Sequence, residues 1–209
     1  MTYTQNKQFF YFLVEGKTEY NYIVRLNKFF NNNNYNILIE CYNFQGVRHL
    51  ECKETQQKIK QKIKEERKVE VYVLLDNDVF TRKEDSKETI ENNIKKLAKG
   101  KRQLHFLYTN QKFEDFLIMH LDDVTFNKWL EICQAKNYFN TPPTGDENVK
   151  WINKDKIFKQ EYKKGEIPDE IVIDKNVISN TLKMRNNKNQ FHSDFINFLV
   201  ELFNKNIFV

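Results

Sequence analysis

The sequence predicts an α/β fold, a doubly wound and mostly parallel sheet with a helical C-terminal extension. In the first 122 residues, short apolar segments rich in β-branched and aromatic residues alternate with segments of helical periodicity. Strands separated by helices need crossover connections, which are almost always right-handed and give parallel pairing. After Asp122 only helical segments and loops follow. We therefore expect an α/β domain at residues 1–122 and a helical extension at residues 123–209.

Composition and charge narrow the class of protein. A chain of 209 residues with 40% hydrophobic and 14% aromatic residues is too apolar to be disordered and buries a core without disulfides. Its net charge of +5 is compatible with a nucleic-acid partner but does not require one. The chain shows no apolar run of membrane-spanning length, no signal peptide and no CxxC pair. We expect a cytoplasmic protein with reduced cysteines that does not enter a membrane.

Four segments have the composition of buried strands. Gln8–Val14 is aromatic and apolar and stops at Glu15-Gly16, and Glu70–Leu75 stops at Asp76-Asn77-Asp78. The other two expected strands are Ile37–Phe44 and Leu104–Tyr108.

Helices are expected between these strands and after them, because apolar residues recur there at helical spacing. In the first helix Thr18 is the expected N-cap, and the Asn31–Asn34 run ends it. The expected helices begin near Thr18, Cys52, Ser86, Phe113, Thr125 and Phe191.

Three acidic residues fall where open α/β sheets place their sites, at the C-terminal ends of strands. Glu15 follows the first strand, and Asp76 and Asp78 follow the third. Each signal is weak alone, since Glu-Gly after a strand is usually a turn and Asp-x-Asp is usually a solvated loop. Together, three carboxylates at one edge repel one another and favour a bound Mg²⁺ (or Mn²⁺).

Three segments, in order along the chain, resemble the RloB-like family, whose members carry a TOPRIM domain. Residues 14–22 (VEGKTEYNY) resemble the EGxTExxY form of the opening TOPRIM motif, and residues 74–78 (LLDND) resemble the DxD motif. Residues 109–120 (TNQKFEDFLIMH) are similar to the SNPxFExWLLLH signature of the family, although Thr, Gln and Phe replace its Ser, Pro and Trp. The resemblance covers residues 8–122 and implies a TOPRIM-like sheet.

The resemblance implies a Mg²⁺-dependent catalytic site for phosphodiester chemistry. It makes Glu15 a metal ligand or general acid/base, assigns Asp76 and Asp78 to the metal, and gives Glu114 a place at a second metal position. The expected function is a metal-dependent nuclease acting on DNA or RNA. The family association further implies an effector of prokaryotic antiviral defence, regulated by an ATPase partner.

Four further residues are candidate substrate contacts. Lys17 and Asn110 are close to the acids in sequence, and Lys183 and Arg185 belong to a basic segment before the last helix. Each has a simpler interpretation: an exposed turn lysine for Lys17, a helix cap for Asn110, and a solvated loop for residues 183–188.

Two other functions compete with the nuclease. The first is a non-catalytic TOPRIM-fold interaction subunit of an ATPase-containing defence complex. The three converging acids argue against it, because a subunit that only binds other proteins has no reason to keep them. The second is a phosphoacceptor receiver domain, which needs paired acids at the first strand and a later lysine. The apolar face of the last helix is one candidate docking surface for the partner, although packing of this face onto the domain is the favoured interpretation; the face comprises Phe195, Phe198, Leu199 and Leu202.

Overall fold

The structure, a computed structural model, describes residues 7–46, 49, 52–65, 70–76, 87–98, 104–109, 112–188 and 191–204. Two of the predicted site residues, Asp78 and Asn110, lie outside these ranges, as does the predicted helix cap Ser86.

The described part of the chain forms a four-stranded parallel sheet in the order β2-β1-β3-β4. The strands are β1 (Gln8–Val14), β2 (Ile37–Asn43), β3 (Glu70–Asp76) and β4 (Leu104–Thr109), within one residue of the predicted segments. Val14 pairs with Leu74, and Asp76 pairs with Thr109. The C-terminal ends of β1, β3 and β4 are therefore neighbours at one edge of the sheet.

Helices connect and follow the strands as the periodicity predicts. The first begins at Lys17, with Gly16 rather than Thr18 as its N-cap, so the predicted cap is wrong. Three helical segments have no counterpart among the predicted helices: Gly145–Lys154, the π-helical segment Val177–Leu182, and Lys183–Lys188. The last of these shows that the loop interpretation of residues 183–188 is wrong. The helices are α1 (Lys17–Asn32), α2 (Lys53–Glu65), α3 (Lys87–Ala98), α4 (Phe113–Ile118), α5 (Asp123–Ala135), α6 (Gly145–Lys154), α7 (Lys183–Lys188) and α8 (Asp194–Asn204).

Helices cover both faces of the sheet, which confirms the doubly wound α/β prediction. Successive side chains of a strand point to opposite faces. On β1, Phe10 and Phe12 belong to a core with α1 and the helices after β4, whereas Tyr11 and Leu13 pack with α2 and α3. Burial on both faces is what makes β1 and β3 continuous apolar runs in the sequence.

The helical C-terminal part packs directly on the sheet. The ring of Phe12 lies 6.0 Å from that of Phe195 and 5.4 Å from that of Phe198. Both α8 residues are buried, as are Leu199 and Leu202. The favoured interpretation, that this face packs onto the domain, is therefore confirmed; the alternative, that it docks a partner, is wrong because the sheet and α1 already cover it. The domain boundary at residue 122 stays a prediction, although one hydrophobic cluster contains residues from both sides of it.

No helix in the described ranges is both long enough and apolar enough to cross a membrane.

Candidate functional site

A cleft of about 640 Å³ opens at the C-terminal edge of the sheet. Parallel pairing of β1 with β3 brings Glu15, which follows β1, and Asp76, the last residue of β3, to the wall of the cleft. Lys17, in the first turn of α1, and Glu114, in the first turn of α4, also line the cleft. The structure therefore brings together four of the residues singled out in the sequence, at the position where open α/β sheets bind ligands.

Asp76 is held by a hydrogen bond from the neighbouring strand. The Thr109 hydroxyl donates to Asp76 Oδ1 over 2.6 Å, and Thr109 itself is only 1% exposed. Thr109 occupies the position at which the RloB-like signature has Ser. The substitution thus keeps the hydroxyl that contacts the acid.

Glu114 is buried in the cleft wall, where hydroxyl groups orient it. The Thr18 hydroxyl donates to Glu114 Oε1 over 3.4 Å and the Tyr162 hydroxyl donates to the same oxygen over 3.2 Å. Thr18 comes from α1 and Tyr162 from the C-terminal part of the chain. Glu114 therefore marks the place where three distant segments meet.

The next residue, Asp115, points the other way, into the core. It is 1% exposed and accepts hydrogen bonds from Trp129 Nε1, the Tyr138 hydroxyl and the backbone N–H of Lys112. Burial raises the pKa of Asp115 to about 7, although these donors favour the ionised form. Asp115 anchors α4 to α5 and so fixes Glu114. Sequence reasoning missed this role, for which the only signal was an acid within an otherwise apolar segment.

Glu19 adds a fourth carboxylate to the cleft, one helical turn after Glu15. In the structure Glu19 is buried against Gly16, where a Cβ atom would lie 2.6 Å from Glu19 Oε2. Burial, together with the charges of Glu114 and Glu15, raises the pKa of Glu19 to about 8.

Three lysines face these acids. Besides Lys17, they are Lys112, which is 3% exposed, and Lys164, which arrives from the C-terminal part of the chain. Sequence reasoning missed both: Lys112 stands at an unspecified position of the third motif, and Lys164 lies in a segment that resembles none of the family motifs. The cleft thus combines carboxylate oxygens with cations that are suited to phosphate.

The donor chemistry of the cleft fits a hard divalent cation. Mg²⁺ and Mn²⁺ prefer carboxylate oxygens, and four carboxylates, those of Glu15, Glu19, Asp76 and Glu114, line the cleft. Among the described residues, no three His, Cys, Asp or Glu side chains are arranged to hold a metal ion. The predicted ligand Asp78, two residues after Asp76, is not among the residues described.

The two predicted basic contacts near the last helix lie outside the cleft lining. Lys183 is exposed on α7. Arg185 is 4% exposed and donates to the backbone carbonyls of Met119 and Leu121, and it forms an ion pair with Asp123. The prediction that Arg185 binds substrate is wrong, because its guanidinium is buried and satisfies carbonyls just after α4.

Comparison with known proteins gives one match. A family model described as RloB-like protein matches residues 10–200. The match extends well beyond the three motifs and includes Gly145 and Lys164, which line the cleft from the C-terminal part of the chain. No curated protein and no solved structure matches the chain.

Proposed function

Because the chain belongs to the RloB-like family, we propose that it is a metal-dependent nuclease that hydrolyses phosphodiester bonds in DNA or RNA. The observation that carries the proposal is the convergence of four carboxylates and three lysines on one cleft. Carboxylates hold the cation and lysines hold phosphate, so the two sets together match a phosphodiester substrate better than either set does alone.

Glu15, Asp76, Asp78 and Glu114 are the residues that would hold Mg²⁺ or Mn²⁺. A cation bound there supplies charge stabilisation to the phosphate and lowers the pKa of a bound water.

The chain's own hydrogen bonds prepare the acids for this role. Thr109 orients Asp76, and Thr18 and Tyr162 orient Glu114. Hydrogen bonds donated to metal-binding side chains fix the geometry of those ligands, and their loss commonly lowers metal affinity about 10- to 100-fold. With a pKa of about 8, Glu19 keeps a proton at neutral pH in the metal-free protein, which reduces repulsion among the acids.

The biological setting rests on the family. The proposed role is an effector of prokaryotic antiviral defence, acting in the cytoplasm with an ATPase partner that controls its activity. The competing function, a non-catalytic subunit of an ATPase-containing complex, predicts that substitutions in the cleft leave the activity of the complex unchanged.

The proposal is tested with purified protein and labelled single-stranded DNA, duplex DNA and RNA, in the presence of Mg²⁺, Mn²⁺ or EDTA. We expect cleavage with a divalent cation, none with EDTA, and none for Asp76→Asn. The matched control is Asp169→Asn, an exposed acid outside the cleft lining, which should cleave as the wild type does. Cleavage that persists in Asp76→Asn or in EDTA would contradict the proposal.

A further inference from the structure

Residues 159–170 form a strap that runs beside the cleft and contributes Lys164 to its lining. The strap has no regular secondary structure, and side chains of α1 hold it in place. Asn21 Nδ2 donates to the Gly165 carbonyl, and the Gly165 N–H donates to the Thr18 hydroxyl over 3.2 Å. Further along, Arg25 donates to the Pro168 carbonyl over 3.0 Å. The positions around Lys164 are therefore fixed by the same helix that lines the cleft.

The other side of Lys164 is fixed by Tyr162. The Tyr162 backbone N–H donates to Asn153 Oδ1 over 2.7 Å, and its carbonyl accepts from Asn153 Nδ2 over 2.9 Å. The Tyr162 hydroxyl reaches Glu114, a predicted metal ligand. The strap thus delivers a hydroxyl to the acidic wall and, two residues later, an ammonium group to the cleft.

The ammonium of Lys164 lies against the start of α6 and close to the acids of the cleft. A Cβ atom at Gly145 would lie only 2.5 Å from Lys164 Nζ, which places the ammonium against the first residue of α6. The charge of Lys164 also acts on Glu19, whose pKa it lowers against the stronger effect of burial. Lys17 approaches the same strap from the other side, with its Cδ 2.7 Å from where a Cβ of Gly165 would lie.

We propose that Lys164 is a substrate-binding residue that contacts a phosphate of the nucleic-acid backbone in the cleft, opposite the carboxylates. This inference rests on the proposed nuclease function and specifies it. It makes the C-terminal part of the chain a contributor to the site, since a protein ending at residue 122 would lack the strap. Lys17 and Lys164, on either side of Gly165, then hold the phosphate between them.

The test compares Lys164→Gln with Lys163→Gln, a matched control whose side chain is exposed on the same strap and does not line the cleft. Binding of a short fluorescein-labelled single-stranded DNA, and of its RNA counterpart, is measured by anisotropy in the Asp76→Asn background over a series of salt concentrations. We expect Lys164→Gln to weaken binding about tenfold and to reduce the slope of log affinity against log salt by about one phosphate contact. Lys163→Gln should bind as the parent does.

A second variant moves the ammonium without removing it. Gly145→Ala inserts a methyl group where Lys164 Nζ now lies, and alanine favours the helix, so the fold should be retained. We expect weaker binding by Gly145→Ala with an unchanged or higher melting temperature. Unchanged binding by Lys164→Gln and by Gly145→Ala would overturn the inference.

The outcomes also separate this inference from the function on which it rests. If the wild type cleaves nucleic acid and Lys164→Gln behaves as Lys163→Gln does, only the role of Lys164 is wrong. If the wild type neither binds nor cleaves any of the nucleic acids, the nuclease proposal fails and the role of Lys164 fails with it.

Discussion

Replacing Thr109 separates its hydrogen bond from its packing. Thr109→Val removes the hydroxyl that donates to Asp76 but keeps the shape and strand preference of the side chain. A hydrogen bond to a charged group contributes about 1.5–3 kcal/mol. Asp76 is only partly buried at the cleft, so water compensates for part of this loss. We expect the free energy of unfolding to fall by about 1 kcal/mol, or roughly 2–4 °C in melting temperature for a chain of this size.

The functional loss in Thr109→Val should be larger than the stability loss suggests. Without the hydroxyl, Asp76 loses a hydrogen bond that orients it, and we expect Mn²⁺ affinity to fall about tenfold, the lower end of the range for the loss of a hydrogen bond to a metal ligand. Calorimetric titration with Mn²⁺ measures the affinity, and thermal unfolding in EDTA measures the stability.

Thr109→Ser provides the matched control. Serine keeps the hydroxyl but loses a methyl group that is buried, which costs about 1 kcal/mol. The Thr109→Ser protein should therefore be destabilised about as much as the Thr109→Val protein, while it retains the wild-type affinity for Mn²⁺. Equal affinities for valine and wild type, or an equal loss for serine and valine, would refute the role given to this hydrogen bond.

Three further predictions concern residues around the cleft. Glu114→Gln keeps an oxygen that accepts hydrogen bonds from Thr18 and Tyr162, so the melting temperature of this variant should stay within about 2 °C of the wild type. Its cleavage activity should be lost, and retained cleavage would remove Glu114 from the site. Asp115, with its pKa raised to about 7, stabilises the fold below about pH 4, and this contribution disappears as the pH rises through 7. Urea unfolding in EDTA should therefore show stability falling from pH 5 to 7, by up to about 1.4 kcal/mol per pH unit, and Asp115→Asn should reduce that slope. Arg185→Gln leaves buried carbonyls without a donor and should lower the free energy of unfolding by about 2–4 kcal/mol, whereas Lys183→Gln should not; equal stability of the two variants would contradict the packing role.

The alignment of the acids at one sheet edge was predictable because the pattern that encodes it is local. Continuous apolar runs in β1 and β3 indicate strands buried on both faces, and parallel strands end at the same edge. Glu15 and Asp76 directly follow those runs. Their approach requires only that β1 and β3 be neighbours, which they are.

The rest of the cleft is formed by contacts between residues far apart in sequence. Tyr162 reaches Glu114 across 48 positions, and Gly165 reaches Thr18 across 147. The strap that carries them has no periodicity, so no local pattern indicated where it would lie. A sequence also does not show whether a charged residue will find buried partners: Arg185 resembled a phosphate contact, yet the carbonyls after α4 hold it in the interior.

The central claim, that the carboxylates at the sheet edge hold a divalent cation, is tested most directly by metal-directed cleavage of the protein itself. Fe²⁺ replaces Mg²⁺ in the purified wild type, and ascorbate with peroxide then generates radicals that cut the backbone next to the bound ion. We predict cuts near Glu15, near Asp76 to Asp78 and near Glu114, all suppressed by excess Mg²⁺ and absent in Asp76→Asn. Cuts at other positions, or the same cuts in Asp76→Asn, would contradict a metal site in this cleft.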